Sequence, residues 1–306
     1  MIQVTYQGVD ITEDISVNRC YHDMYAAGCS DTLRLRVNDV QSIWDAWAPK
    51  DMEEIRVDYG TISTGVMFVT QVIPSNGFFD IFAQSAPKSG YYPRSKAWQN
   101  VRFLQLGADI AERNGLSFAS YGVEDKLYPY ILQNNEGDFA FLHHRAALEG
   151  CSFLVYDKTL VLYSEAYMEA VEPSEVLEIT EDVDFQYIDG KSKMYGSCTI
   201  TSGLYSGEFA VENGSSRVYR PSVPNGVSSD AEAERFAKNL LRFANKGCCG
   251  GFIRANVLPD YAAASTVMLS NVRAPSWDGT VFLDHIRNDY GKGESKIFFR
   301  RILEGY

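Results

Sequence analysis

The feature that most constrains this chain is a succession of short segments in which apolar and polar residues alternate, and it fills roughly the first 90 residues. Ile2, Val4 and Tyr6 alternate with polar neighbours before a turn at Gln7-Gly8-Val9-Asp10. Thr32-Leu33-Arg34-Leu35-Arg36-Val37 sets apolar residues against charged ones. A period of two puts one kind of side chain on each face of a strand, so this is a half-buried strand. Glu54 to Tyr59, Gly65 to Thr70 and Phe78 to Phe82 repeat the pattern, with a hairpin turn at Pro74-Ser75-Asn76-Gly77 and a short helical piece expected around Ser42 to Trp47. Short strands at near-even spacing imply a small barrel or sandwich.

The period changes after Pro87 to Pro93, which reads as a boundary. Trp98, Val101, Leu104, Ala108 and Ala111 lie on one helical stripe, so a helix is expected from Ser95 to about Asn114. An extended segment ends at Pro129-Tyr130-Ile131-Leu132. A second helix is expected from Asp138 to Glu149-Gly150, with Phe139, Leu142 and Ala146 inward. Cys151 to Tyr156 and Thr159 to Tyr163 form a hairpin about Asp157-Lys158. From Glu175 strands return, interrupted by a helix that opens on the capping box Ser229-Asp230-Ala231-Glu232 and runs to about Ala244. Gly247, Gly250 and Gly251 are expected to end that helix in a tight turn. The fold class is therefore α+β, mainly β, in three parts: residues 1–90, a small α+β middle unit at 91–170, and 171–306 with an inserted helix.

Composition removes several function classes. The 306 residues exceed one comfortable core. A formal net charge of -12 argues against gripping nucleic acid or docking on an anionic membrane, both of which need a Lys/Arg surface. No sequence-specific nucleic-acid binding and no membrane insertion are expected: no apolar stretch approaches bilayer length, and the start is a strand pattern, not a secretory leader. The chain is expected in the cytoplasm until it is assembled. Aromatics at 13% suit strands and large interfaces.

Candidate chemistry is sparse. Cys20, Cys29, Cys151, Cys198, Cys248 and Cys249 contain no C-x-x-C pair and read as reduced, mostly buried thiols. Of the four histidines, His22, His143, His144 and His285, the adjacent pair diverges by about a hundred degrees on a helix and cannot chelate one ion. No nucleophile elbow, Walker loop or G-x-G-x-x-G is present, and the glycines at 247–251 run helix to strand, the reverse of a phosphate loop. Glu136 with Asp138, or Glu181-Asp182 with Asp184, would be an acid/base set only if a groove held them at a fixed separation; a helix N-terminus and a solvated loop account for them as well. No catalytic, cofactor-binding or metal residue is assigned. The chain is expected not to be an enzyme; a cell-wall hydrolase using a carboxylate pair is the alternative.

The middle unit carries a resemblance. Gln133-Asn134-Asn135-Glu136-Gly137-Asp138-Phe139-Ala140-Phe141-Leu142, running into Ala146-Ala147-Leu148-Glu149-Gly150-Cys151-Ser152-Phe153, resembles the Q-x-N-E-x-D, F-L, short-helix, E-x-G motif of the phage late control D family, the baseplate hub proteins of contractile tails. The Ile110-Ala111-Glu112-Arg113-Asn114-Gly115-Leu116 helix ending and the Val9-Asp10-Ile11-Thr12 opening fit the same pattern; the specific match covers about residues 96–165. The resemblance implies two tail-tube-like β-barrel domains, at 1–90 and 171–306, flanking the middle domain. It implies a virion or tail-like particle and a homotrimeric ring that adapts the sixfold tail tube to the threefold spike. Its partners would be copies of itself, a tail tube or tube-initiator protein, a spike protein, baseplate wedge proteins and a tape-measure protein, with no cofactor. A bacteriocin or a secretion apparatus would use the same fold. No β-helix repeat or wall-degrading module is visible, so spike and hydrolase are expected on separate proteins. A channel-facing side that is polar and net negative is expected from the overall charge.

Overall fold

The computed structural model describes residues 1–28, 30–180, 183–223 and 226–306, and only the backbone of Ile43 and Trp44. Cys29, Glu181 and Asp182, weighed above, lie outside the described residues. The chain is mainly β with helices set between its strands.

One continuous fourteen-stranded sheet takes strands from both ends of the chain. Its N-terminal half runs in the order Ser16–Tyr25, Thr32–Asp39, Gly77–Gln84, Met67–Ser75, Glu54–Tyr59, Ile2–Tyr6. The alternation of Leu33, Leu35 and Val37 places these residues in a core with Val4, Val57, Val69 and Ile81, all essentially inaccessible. The half cannot be flat. Ser16–Tyr25 and Ile2–Tyr6 stand five places apart, about 24 Å at the usual strand spacing. Yet Cys20 and Val4 share one core, so the sheet wraps round it.

The C-terminal half wraps in the same way. Phe185–Asp189, Cys249–Asn256, Glu294–Arg301, Gly279–Asp289, Thr266–Asn271 and Val176–Ile179 follow one another. Tyr187 Oη on the first strand accepts from Asn271 Nδ2 on the fifth at 2.7 Å, and the Tyr187 ring stacks on Trp277 at 4.3 Å. Ile179, Ile253, Leu269, Leu283 and Ile297 fill its core.

The Gly279–Asp289 strand joins the halves. Its first part pairs with Thr266–Asn271, and after an irregularity between Leu283 and His285 its second part pairs with Ser16–Tyr25, from His285 opposite Tyr25 to Asp289 opposite Tyr21. Eleven residues are long enough to serve both neighbours in turn.

The middle body packs helices Phe103–Arg113 and Asp138–Leu148 on a three-stranded sheet in which Thr159–Ser164 is parallel to Ser117–Tyr121 and antiparallel to Cys151–Tyr156. The hairpin turn is at Asp157-Lys158 as expected, with φ of 44° and 59°, the left-handed pair that matches strand twist. The helix Asp230–Asn245 and the hairpin Ser197–Ser202/Tyr205–Ala210 pack into the same core, through Phe236, Leu241, Cys198 and Ile200. Ser229 Oγ accepts from the Glu232 amide at 3.2 Å and Glu232 Oε2 from the Ser228 amide at 2.6 Å, which is the capping expected there.

Two expectations need correction. Residues 95–102 are strand, not helix: Arg94–Arg102 pairs with Leu127–Glu136, Trp98 opposite Ile131, and the helix starts only at Phe103. Asn100, with φ 50°, interrupts the alternation, so Trp98 and Val101, three apart, both face inward and imitate a helical stripe. Gly250 and Gly251 do not make a turn. They lie inside the Cys249–Asn256 strand, where a Cβ would stand 2.4 Å from Phe299 O and 2.2 Å from Gln186 O. Only glycine lets the three backbones approach so closely.

Candidate assembly surface

Each strand near the junction turns alternate residues to the core, so their neighbours form an outer face that crosses from one half to the other. Two lateral rows are set by register. Phe252, Phe298, His285 and Tyr25 are successive partners, and so are Arg254, Lys296, Arg287 and Asp23. His285 is stacked between Tyr25, 4.4 Å away and 5° from parallel, and Phe298, 4.8 Å away at 12°. The cation of Lys296 stands 3.6 Å over the Phe252 ring.

Asp23 ties the row together. Its Oδ1 is 2.7 Å from His285 Nε2 and 2.7 Å from Arg287 Nε. Burial would raise this carboxyl, but the bonds from His285 and Arg287 outweigh it and hold it below its usual range. Further along, Asp80 accepts from Arg36 at 2.8 and 3.0 Å and from Arg34 at 3.2 and 3.3 Å, while the two guanidinia cover Phe78 and Phe82. Burial opposes this charge too, and the arginines again outweigh it. Two hollows on the face share Tyr21 and Arg287 in their linings, and the larger, about 940 Å³, is walled by Arg254, Lys296, Asp289 and Glu294. Basic and acidic groups alternate along this trough, which suits contact with a polar protein surface more than capture of a polyanion.

The longest path through the sheet has two ends, and Val176–Ile179 and Ile62–Ser63, off that path, also have one neighbour each. Among the described pairings, Phe185–Asp189 has one neighbour, Cys249–Asn256, and Val9–Asp10 has one, Ile2–Tyr6. Ile188 is 54% exposed and Val9 61%. Such edges offer unpaired backbone groups to another chain, and neither strand carries the lysine or proline that commonly blunts them.

The residues weighed for chemistry are separately engaged. Asp138 is fully buried and accepts from Arg113, Asn114 and Gln133, each at 2.9 Å, so it ties two helices to a strand. Glu136 instead meets His144 at 3.4 Å. His143 packs on Phe243, and burial lowers its pKa. Asp184 pairs with Arg254 at 3.2 Å on the surface. His22 is buried and bonded to Tyr290 Oη at 2.9 Å. Cys20, Cys151, Cys198 and Cys249 are free and buried, and Cys248 is free and half-buried; burial pushes the first two thiols up to about 12 and Cys198 to about 11. Thiols so far from ionising are poor nucleophiles. Among the described residues no group of three His, Cys, Asp or Glu could hold a metal, and no helix is long and apolar enough to cross a membrane. Sequence reasoning missed the Asp23–His285–Arg287 set. Its one local signal was that His285 and Arg287, two apart on a strand, share a face.

No family model and no curated protein matches the sequence. Solved structures share its fold over nearly the whole chain. The 43 kDa tail protein of prophage MuSo2 from Shewanella oneidensis superposes with a TM-score of 0.76 at 11% identity, covering 98% of each chain. A tail protein from Neisseria meningitidis gives 0.75 at 13% identity over 98% of this chain and 96% of its own. An Escherichia coli component of the type VI secretion system, described as structurally similar to bacteriophage T4 tail proteins gp27 and gp5, gives 0.65 at 9% identity over 99% and 78%. The fold is that of phage tail proteins.

Proposed function

We propose that the chain is a structural, non-catalytic subunit of a phage-type tail, acting as the baseplate hub: three copies form a ring that presents six similar β units to the tail tube and three equivalent positions to a spike. One observation carries this reading. A single polypeptide holds two wrapped halves, of eight and six strands, fused through one strand, so a threefold ring of it has pseudo-sixfold symmetry. The ring-forming units in this proposal are residues 1–90 and those strands of residues 171–306 that belong to the large sheet, while the Ser197–Ser202/Tyr205–Ala210 hairpin and the Asp230–Asn245 helix stay with the body between them.

The terminal edges support head-to-tail closure. Exposed Lys191 and Lys193 follow the Phe185–Asp189 edge, and exposed Asp10, Glu13 and Asp14 surround the Val9–Asp10 edge. The lysines lie beside the exposed Asp184 and Asp189, and their pairing with Asp10, Glu13 and Asp14 of another copy would be a heterologous contact, which closes a ring by rotation. The shared fold with tail proteins and with a gp27/gp5-like secretion component supports the same reading, and the partners proposed with it are of tube, spike, wedge and tape-measure type. The channel side is polar and net negative in this proposal.

Light scattering of the purified chain over a concentration series tests it, with negative-stain images of the particles. A trimer with a central hole is expected. A monomer at every concentration, or turnover of purified cell wall, would count against it.

A further inference from the structure

A second feature does not depend on assembly. Where the middle body meets the sheet, six charged side chains from four elements are packed together. Glu165 and Glu169 come from the short helix Glu165–Glu169, Arg242 and Lys246 from helix Asp230–Asn245 and its cap, Asp284 from the joining strand and Arg300 from the last strand. Arg300 Nη1 is 2.6 Å from Glu169 Oε1, its Nε 3.0 Å from Asp284 Oδ1 and its Nη2 3.6 Å from Glu165 Oε2. Lys246 Nζ is 2.5 Å from Glu165 Oε1, which also accepts from Ser152 Oγ, and Arg242 pairs with Glu169 Oε2. Three positive and three negative groups balance. The side chains of Arg300, Glu169 and Glu165 are 2%, 3% and 6% exposed, whereas that of Asp284 is 41% exposed.

Little apolar surface backs this joint. The bridging cluster is Ala26, Tyr163, Ala264 and Phe282, with the partly buried Leu154, Met168 and Ala263 against it, far smaller than the core of the body itself. Further polar links cross it, among them Tyr163 Oη to Ala26 O, Tyr156 Oη to Ser63 O at 3.4 Å, the Gly28 amide to Phe153 O at 3.3 Å, the Val66 amide to Asp157 Oδ1 at 3.0 Å and Lys158 to Glu54 at 2.5 Å. A buried ion network is no more stable than well-packed apolar residues of the same size, but it accepts only one arrangement of its members and fails when one is neutralised.

We propose that the Arg300 cluster is an acid-released latch: it fixes one orientation of the middle body on the sheet, and neutralising its carboxylates frees the body as a unit while the cores on either side stay folded. The groups facing it act in the same direction. Burial raises Asp284, against the pull of Arg300 and Lys246, and as pH falls this carboxyl sheds its charge and gives up its hold on Arg300. Burial would also raise Glu165, but Lys246 and Arg300 outweigh it; its contribution is present at neutral pH and is lost as pH falls through its lowered value. Arg242, Lys246 and Arg300 are then left facing one another. His143 on helix Asp138–Leu148, which feels both Lys246 and Glu165, adds a further cation when it protonates, and the Cys151 and Tyr163 hydrogens stay on.

Calorimetry of the full chain at pH 7 and at a lower pH, stepped down through the ordinary carboxylate range and below it, tests the latch. One cooperative transition is expected at pH 7 and two at the lower pH, with an increased radius of gyration and unchanged far-UV circular dichroism before either. The charge-balanced pairs Arg300→Met/Glu169→Gln and Lys246→Met/Glu165→Gln are expected to show two transitions already at pH 7. A wild-type chain that keeps one transition and one radius down to the pH of global unfolding would overturn the proposal, as would a folded variant of either pair that still melts in one step.

Discussion

Tyr59 and Tyr290 stack with ring centroids 4.9 Å apart and planes 15° from parallel, although the strand that ends in Tyr59 and the strand that Tyr290 follows stand five places apart in the sheet. That contact closes the N-terminal half: it brings the Glu54–Tyr59 strand back to the turn after the joining strand, where the Tyr290 amide bonds Cys20 O at 2.9 Å. Tyr59→Ala is expected to cost about 1–2 kcal/mol, the ring pair plus part of its buried area. Tyr92→Ala, at an exposed ring, is expected to stay within about 0.5 kcal/mol. Urea unfolding of the two variants gives the comparison, and equal losses would mean that the stack does not hold the wrap.

The glycines of the Cys249–Asn256 strand make a sharper test of backbone approach. Gly251→Ala would set a methyl 2.2 Å from Gln186 O, and the edge strand Phe185–Asp189 would have to move away. A loss of about 2–4 kcal/mol is expected, in the range of core overpacking with a ladder broken. Gly247→Ala meets nothing within 4 Å and has no positive φ, so it is expected to be neutral or slightly stabilising. Thermal melts of the pair separate close packing from turn chemistry.

Ring closure through the terminal edges predicts a charge-swap pattern. Lys191→Glu with Lys193→Glu is expected to weaken self-association at least tenfold at low salt. Adding Asp10→Lys and Glu13→Lys is expected to restore much of it, because the pairing is reversed rather than removed. Sedimentation at two ionic strengths measures both. Failure of the second set to rescue the first would leave these edges without a role in the ring.

Much of the architecture was legible because its signals are local. The period of two in Thr32 to Val37, the left-handed turn at Asp157-Lys158 and the Ser229 cap each reside in a few consecutive residues, and each is where the sequence puts it. The Arg94–Arg102 strand was not legible, since one positive φ at Asn100 converts alternation into a three-residue spacing. The joining strand was not legible either. Nothing within Gly279 to Asp289 says that its second part pairs with residues 21–25, more than 250 positions earlier, and the Asp23–His285–Arg287 set exists only through that pairing.

Two buried groups beside this junction give opposite pH dependences, and single variants separate them. His22 is completely buried, and burial lowers its pKa from 6.5 to about 4, against a smaller upward pull from Asp23. The unfolded chain therefore takes up a proton on His22 as pH falls below 6.5 while the folded chain does not. This group favours folding at neutral pH and loses that contribution as pH approaches 4, by up to about 1.4 kcal/mol for each pH unit. Asp31 is 6% exposed, and burial raises its pKa to about 7, partly offset by the Tyr25 amide that its Oδ1 accepts at 2.8 Å. Here the folded chain binds the proton first, so the penalty present above pH 7 is relieved as pH falls toward the ordinary carboxylate range. In the wild type the two slopes largely cancel between pH 7 and about 5. His22→Gln keeps a hydrogen-bonding side chain near Tyr290 without the titration, and its stability is expected to rise relative to wild type as pH falls. Asp31→Asn removes the other arm, and its stability is expected to fall more steeply than wild type over the same window. Urea midpoints at half-unit steps of pH decide it: parallel profiles for wild type and both variants would mean that neither group titrates in that range.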